Sequence, residues 1–246
     1  MKRRLFVASS LSAIGLTACG PVKESLTNGP FRAVLLAAEP LNHAVIGTHG
    51  MAREYAERDI NRDVRVNGLD TPSDALYTGL VRGHYRSYRL RVDGLVDRRL
   101  ALSLAELRAA GERTQITRHD CVEGWSVIGK WRGVRLATVL AMARPNANAR
   151  YCVFHCFDQD QSGTQYYESL DLHEAAHPQT LLALDLNDKP LDPDHGAPVR
   201  LRVPTQLGYK SAKWVQRIEL VADLHQIGGG NGGYWEDQGY EWYAGI

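Results

Sequence analysis

Cys121 lies in the run RHDCVEGW, two residues after His119. Four chemistries compete for it. A free thiol packs into a core as a small apolar group. A nucleophilic thiolate needs a base and an orienting group; His119 would share a strand face with Cys121, but nothing else in the sequence completes a triad. Zinc needs C-x-x-C or H-x-x-x-H spacing, and neither surrounds Cys121. A softer transition metal takes a single protein thiolate when an organic cofactor supplies its other ligands. Cys152 and Cys156, in RYCVFHCF, read as one buried strand. Four strand residues span about 13 Å at about 3.3 Å each, and a disulfide needs Cα atoms within about 7 Å. These two therefore do not bridge each other, and Cys156 is expected to pack in the core. Three cysteines beyond Cys19 leave at least one thiol unpaired.

Polar groups suited to an anionic cofactor follow downstream. His195 sits in the turn of PDHGAPVRLRVP, Arg200 on the next strand, and Lys210 in the loop QLGYKSAKW. A guanidinium fork binds phosphate bidentately and a lysine adds a point charge. Gly208 lets backbone amides approach where a side chain would block. Tyr166 and Tyr167, in SGTQYYES, alternate faces on a strand, so one of them faces the core. Taken singly, Arg200 and Lys210 read as solvated strand residues and His195 as a turn cap.

The elements that must hold these residues are mostly strands. SYRLRVDGLV, TQITRHDCV, ARYCVFHCF, QYYESLDL, TLLALDL, APVRLRVP and KSAKWVQRIELV carry strand patterns. SLAELRAAG is a helix capped by Ser103, boxed by Glu106 and stopped by Gly111. GVRLATVLAMARP is an amphipathic helix closed by Pro145, and DLHEAAHP a short one. Strands outnumber helices in an irregular order, so the fold class is α+β with a mixed sheet and short helices.

The 246 residues carry 29 Lys and Arg against 28 Asp and Glu. Such a balance excludes a partner held by many phosphate contacts, and no nucleic acid is expected. Residues 1–19 read as an export signal: Arg3 and Arg4 precede an apolar stretch, and LTAC places Cys19 as a lipidation site. The chain is then expected in the periplasm, exported by the twin-arginine route and lipid-anchored at Cys19. That route carries folded proteins, commonly already loaded with cofactor. Residues 20–74 read as a linker and extended arm, 75–222 as the functional domain, and 223–246 as a glycine- and aromatic-rich tail, expected to fold back over the core.

Taken in order, LVRGH, HDCVEGW, SGTQYYES, DHGAPVR and GYK resemble the molybdopterin-binding domain of the sulfite oxidase family, nearest its bacterial branch of periplasmic protein-methionine-sulfoxide reductases. The resemblance runs from about residue 75 to 221. It implies a sulfite-oxidase-type fold, a Mo-molybdopterin cofactor and Cys121 as the molybdenum ligand. It implies Arg82, His84, His195, Arg200, Gly208, Tyr209 and Lys210 around the cofactor. It places Tyr166 beside the metal with Tyr167 as the substitute, and Lys210 at the reacting centre. It implies oxygen-atom transfer on a small sulfoxide- or sulfite-like substrate, with electrons exchanged with a separate haem or quinone-linked partner such as a membrane cytochrome. The C-terminal dimerisation domain of sulfite oxidases is not expected after the last strand. Sulfite oxidases follow the cysteine with an arginine-bearing run; here Glu123 and Trp125 stand instead. An acid and an indole repel a dianion, so a neutral sulfoxide is the expected substrate, with Trp125 as an apolar wall. The alternative is a catalytically inert relative that keeps the fold as an envelope binding or assembly protein.

Overall fold

The computed structural model describes residues 50–246, apart from 67, 69 and 70. The export signal, Cys19 and residues 20–49 lie outside them. Contacts divide the chain into Met1–Leu41 and Asn42–Ile246, and the architecture below is that of the second unit. It has a helix α1 (Ala75–Arg82), strands β1 (Leu90–Gly94) and β2 (Leu100–Leu102), helix α2 (Leu104–Ala109), and a long hairpin of β3 (Glu112–Asp120) and β4 (Ser126–Arg135). Helix α3 (Leu136–Ala143), β5 (Tyr151–Gln159), β6 (Gln165–Asp171), α4 (Leu172–Ala176), β7 (Leu181–Leu186) and β8 (Lys189–Pro190) follow. The chain ends with β9 (Arg200–Arg202), a 3-10 turn Gly208–Lys210, β10 (Val215–Val221) and a one-turn helix α5 (Tyr234–Asp237).

The strands form two five-stranded sheets. One has the order β2-β1-β10-β5-β6, and the other β3-β4-β7-β8 with β9 paired to β7. The first is mixed: β1 runs parallel to β10, while its other pairs are antiparallel. This is the α+β architecture the sequence implies. One apolar cluster joins the sheets, drawing Leu90, Val92, Phe154 and Ile218 from the first and Val134, Leu182, Leu184 and Leu201 from the second. Burying each such side chain contributes about 1.5–3 kcal/mol. Trp131, Ala183, Leu186, Leu191 and Ala197 form a second cluster.

The local signals act as chemistry requires. Ser103 Oγ accepts from the Glu106 amide, and Glu106 Oε2 accepts from the Ser103 amide at 2.8 Å, closing the box that starts α2. Asp74 caps α1 by accepting from the Leu76 and Tyr77 amides. Helix α3 begins one residue after β4 ends, so GVR belongs to the strand and not to the helix. The arm does not run free: Tyr55 N donates to Ile116 O and Asn61 N to Ile128 O, tying residues 54–61 along the hairpin. Cys152 and Cys156 are both free thiols, buried on β5, as the strand reading requires. Among the described residues, no helix is long and apolar enough to cross a membrane.

Candidate active site

Cavity size does not locate the chemistry. A cavity of about 720 Å³ lies along β10 and the segment 222–228. A much smaller one, about 120 Å³, holds Cys121. The groups around Cys121 decide between them. The turn joining β3 to β4 closes with Cys121 N donating to Trp125 O at 2.9 Å and Gly124 N to Cys121 O at 3.1 Å. It leaves the thiol half-buried. Burial and the Glu123 carboxylate push that thiol up, and Arg65 opposes them. The thiol alone is therefore protonated at neutral pH, and a cation beside it is needed to hold it as thiolate.

Strands β5 and β6 and the segment 208–213 build the cavity beside the thiol turn. From β5 comes Asp158, and from β6 Tyr166; the segment 208–213 supplies Gly208, Tyr209, Ser211 and Lys213. Asp158 is 3% exposed, and burial raises its carboxyl to about 7 against the pull of Lys213. Tyr166 donates to Tyr209 O at 2.7 Å, and burial pushes its hydroxyl well up. Its neighbour Tyr167 points to the opposite face, lines the large cavity and donates to Asp237. Gly208 has to be glycine here: a Cβ on it would lie 2.6 Å from His119 Nε2 and 3.1 Å from Asp120 O. That approach seats segment 208–213 against the end of β3 next to Cys121.

Behind the thiol sits a buried basic cluster. Arg200 and Arg202, 2% and 0% exposed, place their guanidinium carbons 5.2 Å and 5.3 Å from the Trp131 ring centre. Burial pulls Arg200 down to about 10 and Arg202 to about 9, and the two cations repel. Arg202 donates to Arg118 O at 2.5 Å, yet its Nε has no hydrogen-bond partner. His119 is buried beside them with neither ring nitrogen hydrogen-bonded. Burial, then Arg200, Arg202 and Lys213, hold it neutral. Gathering cations and orphaned polar nitrogens in low dielectric is costly unless an anion joins them. The residues present fit a group with an anionic tail and a thiophilic metal.

The residues singled out from the sequence divide in the structure. Cys121, Tyr166, Gly208 and Tyr209 line one cavity. Arg200 lies close enough that the Cys121 and Tyr166 groups act on its charge. His195 reaches the cluster through its backbone, accepting from Arg200 Nη1 at 3.3 Å, while its ring is held between Asp192 and Val64 O. Lys210 does not enter the cavity. Its Nζ lies 2.5 Å from Glu168 Oε1 and 2.7 Å from Glu236 Oε1, all three groups essentially inaccessible. Arg82 and His84 also stand apart: Tyr77 and Leu80 spend the inward face of α1 on the core, leaving Arg82 exposed. His84, exposed at φ 49°, lines a different cavity with Arg108 and Leu191. Trp125 is no wall to this cavity; it packs 5.9 Å from His119, centre to centre, and donates to Glu123.

Sequence reasoning missed Asp158, Lys213, Trp235 and Tyr240, which line the same cavity. Lys213 had a signal, being the second lysine of YKSAKW. Asp158 had a weaker one: an acid ending an apolar strand.

Comparison with known proteins agrees with this geometry. Residues 78–226 match the family described as the oxidoreductase molybdopterin binding domain. A chain of Azospira oryzae, provisionally named protein-methionine-sulfoxide reductase subunit YedZ1, is 36% identical over 99% of this chain and 87% of its own. The protein-methionine-sulfoxide reductase catalytic subunit MsrP of Ralstonia nicotianae is 30% identical over 89% of this chain and 68% of its own. That of Campylobacter jejuni is 28% identical over 73% and 70%. The sulfane dehydrogenase SoxCD of Paracoccus pantotrophus shares the fold, with a TM-score of 0.50 and 23% identity over 56% of this chain and 39% of its own. With a thiol turn, a buried basic cluster and a family match spanning all ten strands, the chain belongs to the oxidoreductase molybdopterin-binding domain family and is a molybdopterin-dependent oxidoreductase.

Proposed function

We propose that this chain is the catalytic subunit of an exported reductase that removes the oxygen atom from a neutral methyl sulfoxide, such as oxidised methionine in a protein. The observation that carries this reading is the lining of the Cys121 cavity. Glu123 and Asp158 face it, with four aromatic rings, and no arginine is among its lining residues. Sulfite, an anion, would meet Glu123 and Asp158 against the single ammonium of Lys213, with no guanidinium among the lining residues to receive it bidentately. A sulfoxide meets apolar rings for its alkyl groups and a carboxyl for its oxygen.

Molybdopterin, bound through Cys121, supplies a metal able to accept an oxygen atom and to take up electrons singly. Cys121 supplies the thiolate. His119, Arg200, Arg202 and Lys213 hold the anionic part of the cofactor and keep it charged in a buried place. Asp158, titrating near neutrality, can donate a proton to the oxygen that leaves. The balance is one sulfoxide, two electrons and two protons to one sulfide and one water. The electrons come from a separate haem or quinone-linked partner at the membrane. Among the described residues, no group of three His, Cys, Asp or Glu is placed to hold a further metal ion. Twin arginines Arg3 and Arg4 and the LTAC run support export to the periplasm and an anchor at Cys19.

The test is elemental analysis of the purified protein, followed by dye-linked assays of methionine sulfoxide reduction and sulfite oxidation. About one molybdenum per chain with sulfoxide turnover supports the reading. Faster sulfite oxidation than sulfoxide reduction overturns it.

A further inference from the structure

Two of the four rings around Cys121 come from the C-terminal tail. Trp235 and Tyr240 line the cavity together with Tyr166 and Tyr209. Trp235 and Tyr240 are stacked, with centres 5.3 Å apart and planes 26° apart. Tyr240 also meets Tyr209 edge-on at 5.2 Å. The tail is held by long-range contacts. Lys210 Nζ reaches Glu236 and, across it, Glu168 on β6. Tyr234 donates to Asp160 at 2.8 Å, Trp242 to Ser169 at 2.8 Å, and Tyr209 to Glu241 O at 2.7 Å. Ala244 O accepts from Leu207 N at 2.9 Å. Gly233 permits the turn into α5, because a Cβ there would collide with Glu236.

We infer that the tail segment Gly233–Tyr240 is the substrate-recognition wall of this site, with the stacked Trp235–Tyr240 pair binding the methyl and methylene groups beside a sulfoxide, and Lys210 positioning that pair through Glu236. The inference rests on the sulfoxide reading given above and deepens it. Aromatic faces carry negative charge density and attract polarised S-methyl groups. Tyr240 is 40% exposed at the rim, so the remainder of a long substrate extends outward past it. The substrate class is therefore a methyl sulfoxide borne on a flexible chain, with no net charge at the sulfur. Lys210, which the family resemblance places at the reacting centre, acts here through Glu236, the neighbour of Trp235.

The experiment uses molybdenum-loaded enzyme. In the oxidised protein without an electron donor, methionine sulfoxide binds without turnover. Its titration is expected to change tryptophan fluorescence in wild type and not in Trp235→Phe. In turnover assays, Trp235→Ala with Tyr240→Ala is expected to raise KM for methionine sulfoxide about tenfold, with kcat falling less than about threefold and molybdenum content retained. Lys210→Met should reproduce the rise in KM without altering either ring. A KM unchanged in the double variant, with no fluorescence response that depends on Trp235, overturns the wall whether or not the enzyme reduces sulfoxides. A Trp235-dependent response in an enzyme that reduces no sulfoxide would keep the wall and discard the reductase reading.

Discussion

Removing the Lys210 amine tests how the tail is held. Lys210, Glu168 and Glu236 are buried together, with one cation between two carboxylates. Burial drives the Glu168 carboxyl well up, with Lys210 resisting; burial also pulls Lys210 down, but the two carboxylates together outweigh it and raise the amine. A neutral trio, with one acid protonated, is the arrangement the low dielectric favours. Lys210→Met strips the charge and leaves both acids unpaired. Deleting one partner of a buried pair costs about 3–5 kcal/mol. In a domain of this size, each kcal/mol moves Tm about 2–4 °C, so the loss is roughly 6–20 °C. The pH dependence fixes the cause. In the variant the Glu168 carboxyl, already driven up by burial, loses the Lys210 charge that resists the rise. Its protonated form keeps the fold stable at low pH, and that stability is lost as pH rises through the folded value. Thermal melts of Lys210→Met are thus expected to fall further below wild type at pH 8 than at pH 5. Adding Glu236→Gln to Lys210→Met should recover part of the gap at pH 8. A melting loss under about 3 °C, or one larger at pH 5 than at pH 8, would refute the reasoning.

The other predictions concern the cofactor side. Cys121→Ser is expected to keep its circular dichroism and lose more than about 100-fold in turnover, the loss reached even when outer partners of metal ligands are removed; full activity would rule out thiolate ligation. Arg200→Ala removes charge-assisted hydrogen bonding worth about 1.5–3 kcal/mol to an anion. Molybdenum per chain should therefore fall while the Tm of the apo-protein holds or rises, because a desolvated cation has gone. Gly208→Ala forces a methyl to within 2.6 Å of His119 Nε2. It should cost about 1–3 kcal/mol of stability in urea unfolding, and a urea midpoint equal to wild type would show that segment 208–213 is not seated as described.

What could be read from the sequence follows from range. The start of α2 was legible because Ser103 and Glu106 lie three residues apart and act on each other. β1 and β5 were legible because their side chains alternate or run apolar. β4 was not read: SVIGKWRGVR spends two of its buried positions, Gly129 and Gly133, on glycine, which hides the period of two. Helix α1 was not read as a helix: Gly79 interrupts ALYTGLVR and TPSD precedes it, though Asp74 is a good cap. In the site, the local run around Cys121 leaves four chemistries open, and only the ordered motifs of the family resemblance single it out as a ligand. Lys210 and Lys213 differ by three residues, and the 3-10 turn sends the first to the tail carboxylates and the second to the cavity. Nothing local tells them apart. Trp235 and Tyr240 reach Cys121 from more than a hundred residues away in sequence, through contacts that only the folded tail makes.

The place of β10 in its sheet governs when the molecule can form during synthesis. It lies between β1 and β5, pairing Arg91 with Arg217 on one side and Phe154 with Ile218 on the other. A growing chain that has released β1, β2, β5 and β6 holds two ribbons with no strand to join them. Both ribbons keep bare backbone edges open to other chains. The sheet, and the wall it later supports, can close only after Val215–Val221 has left the ribosome. Contacts so distant along the chain also slow the search for the native pairing. Chains stalled or truncated before β10 are therefore expected in aggregates or bound to chaperones rather than partly active.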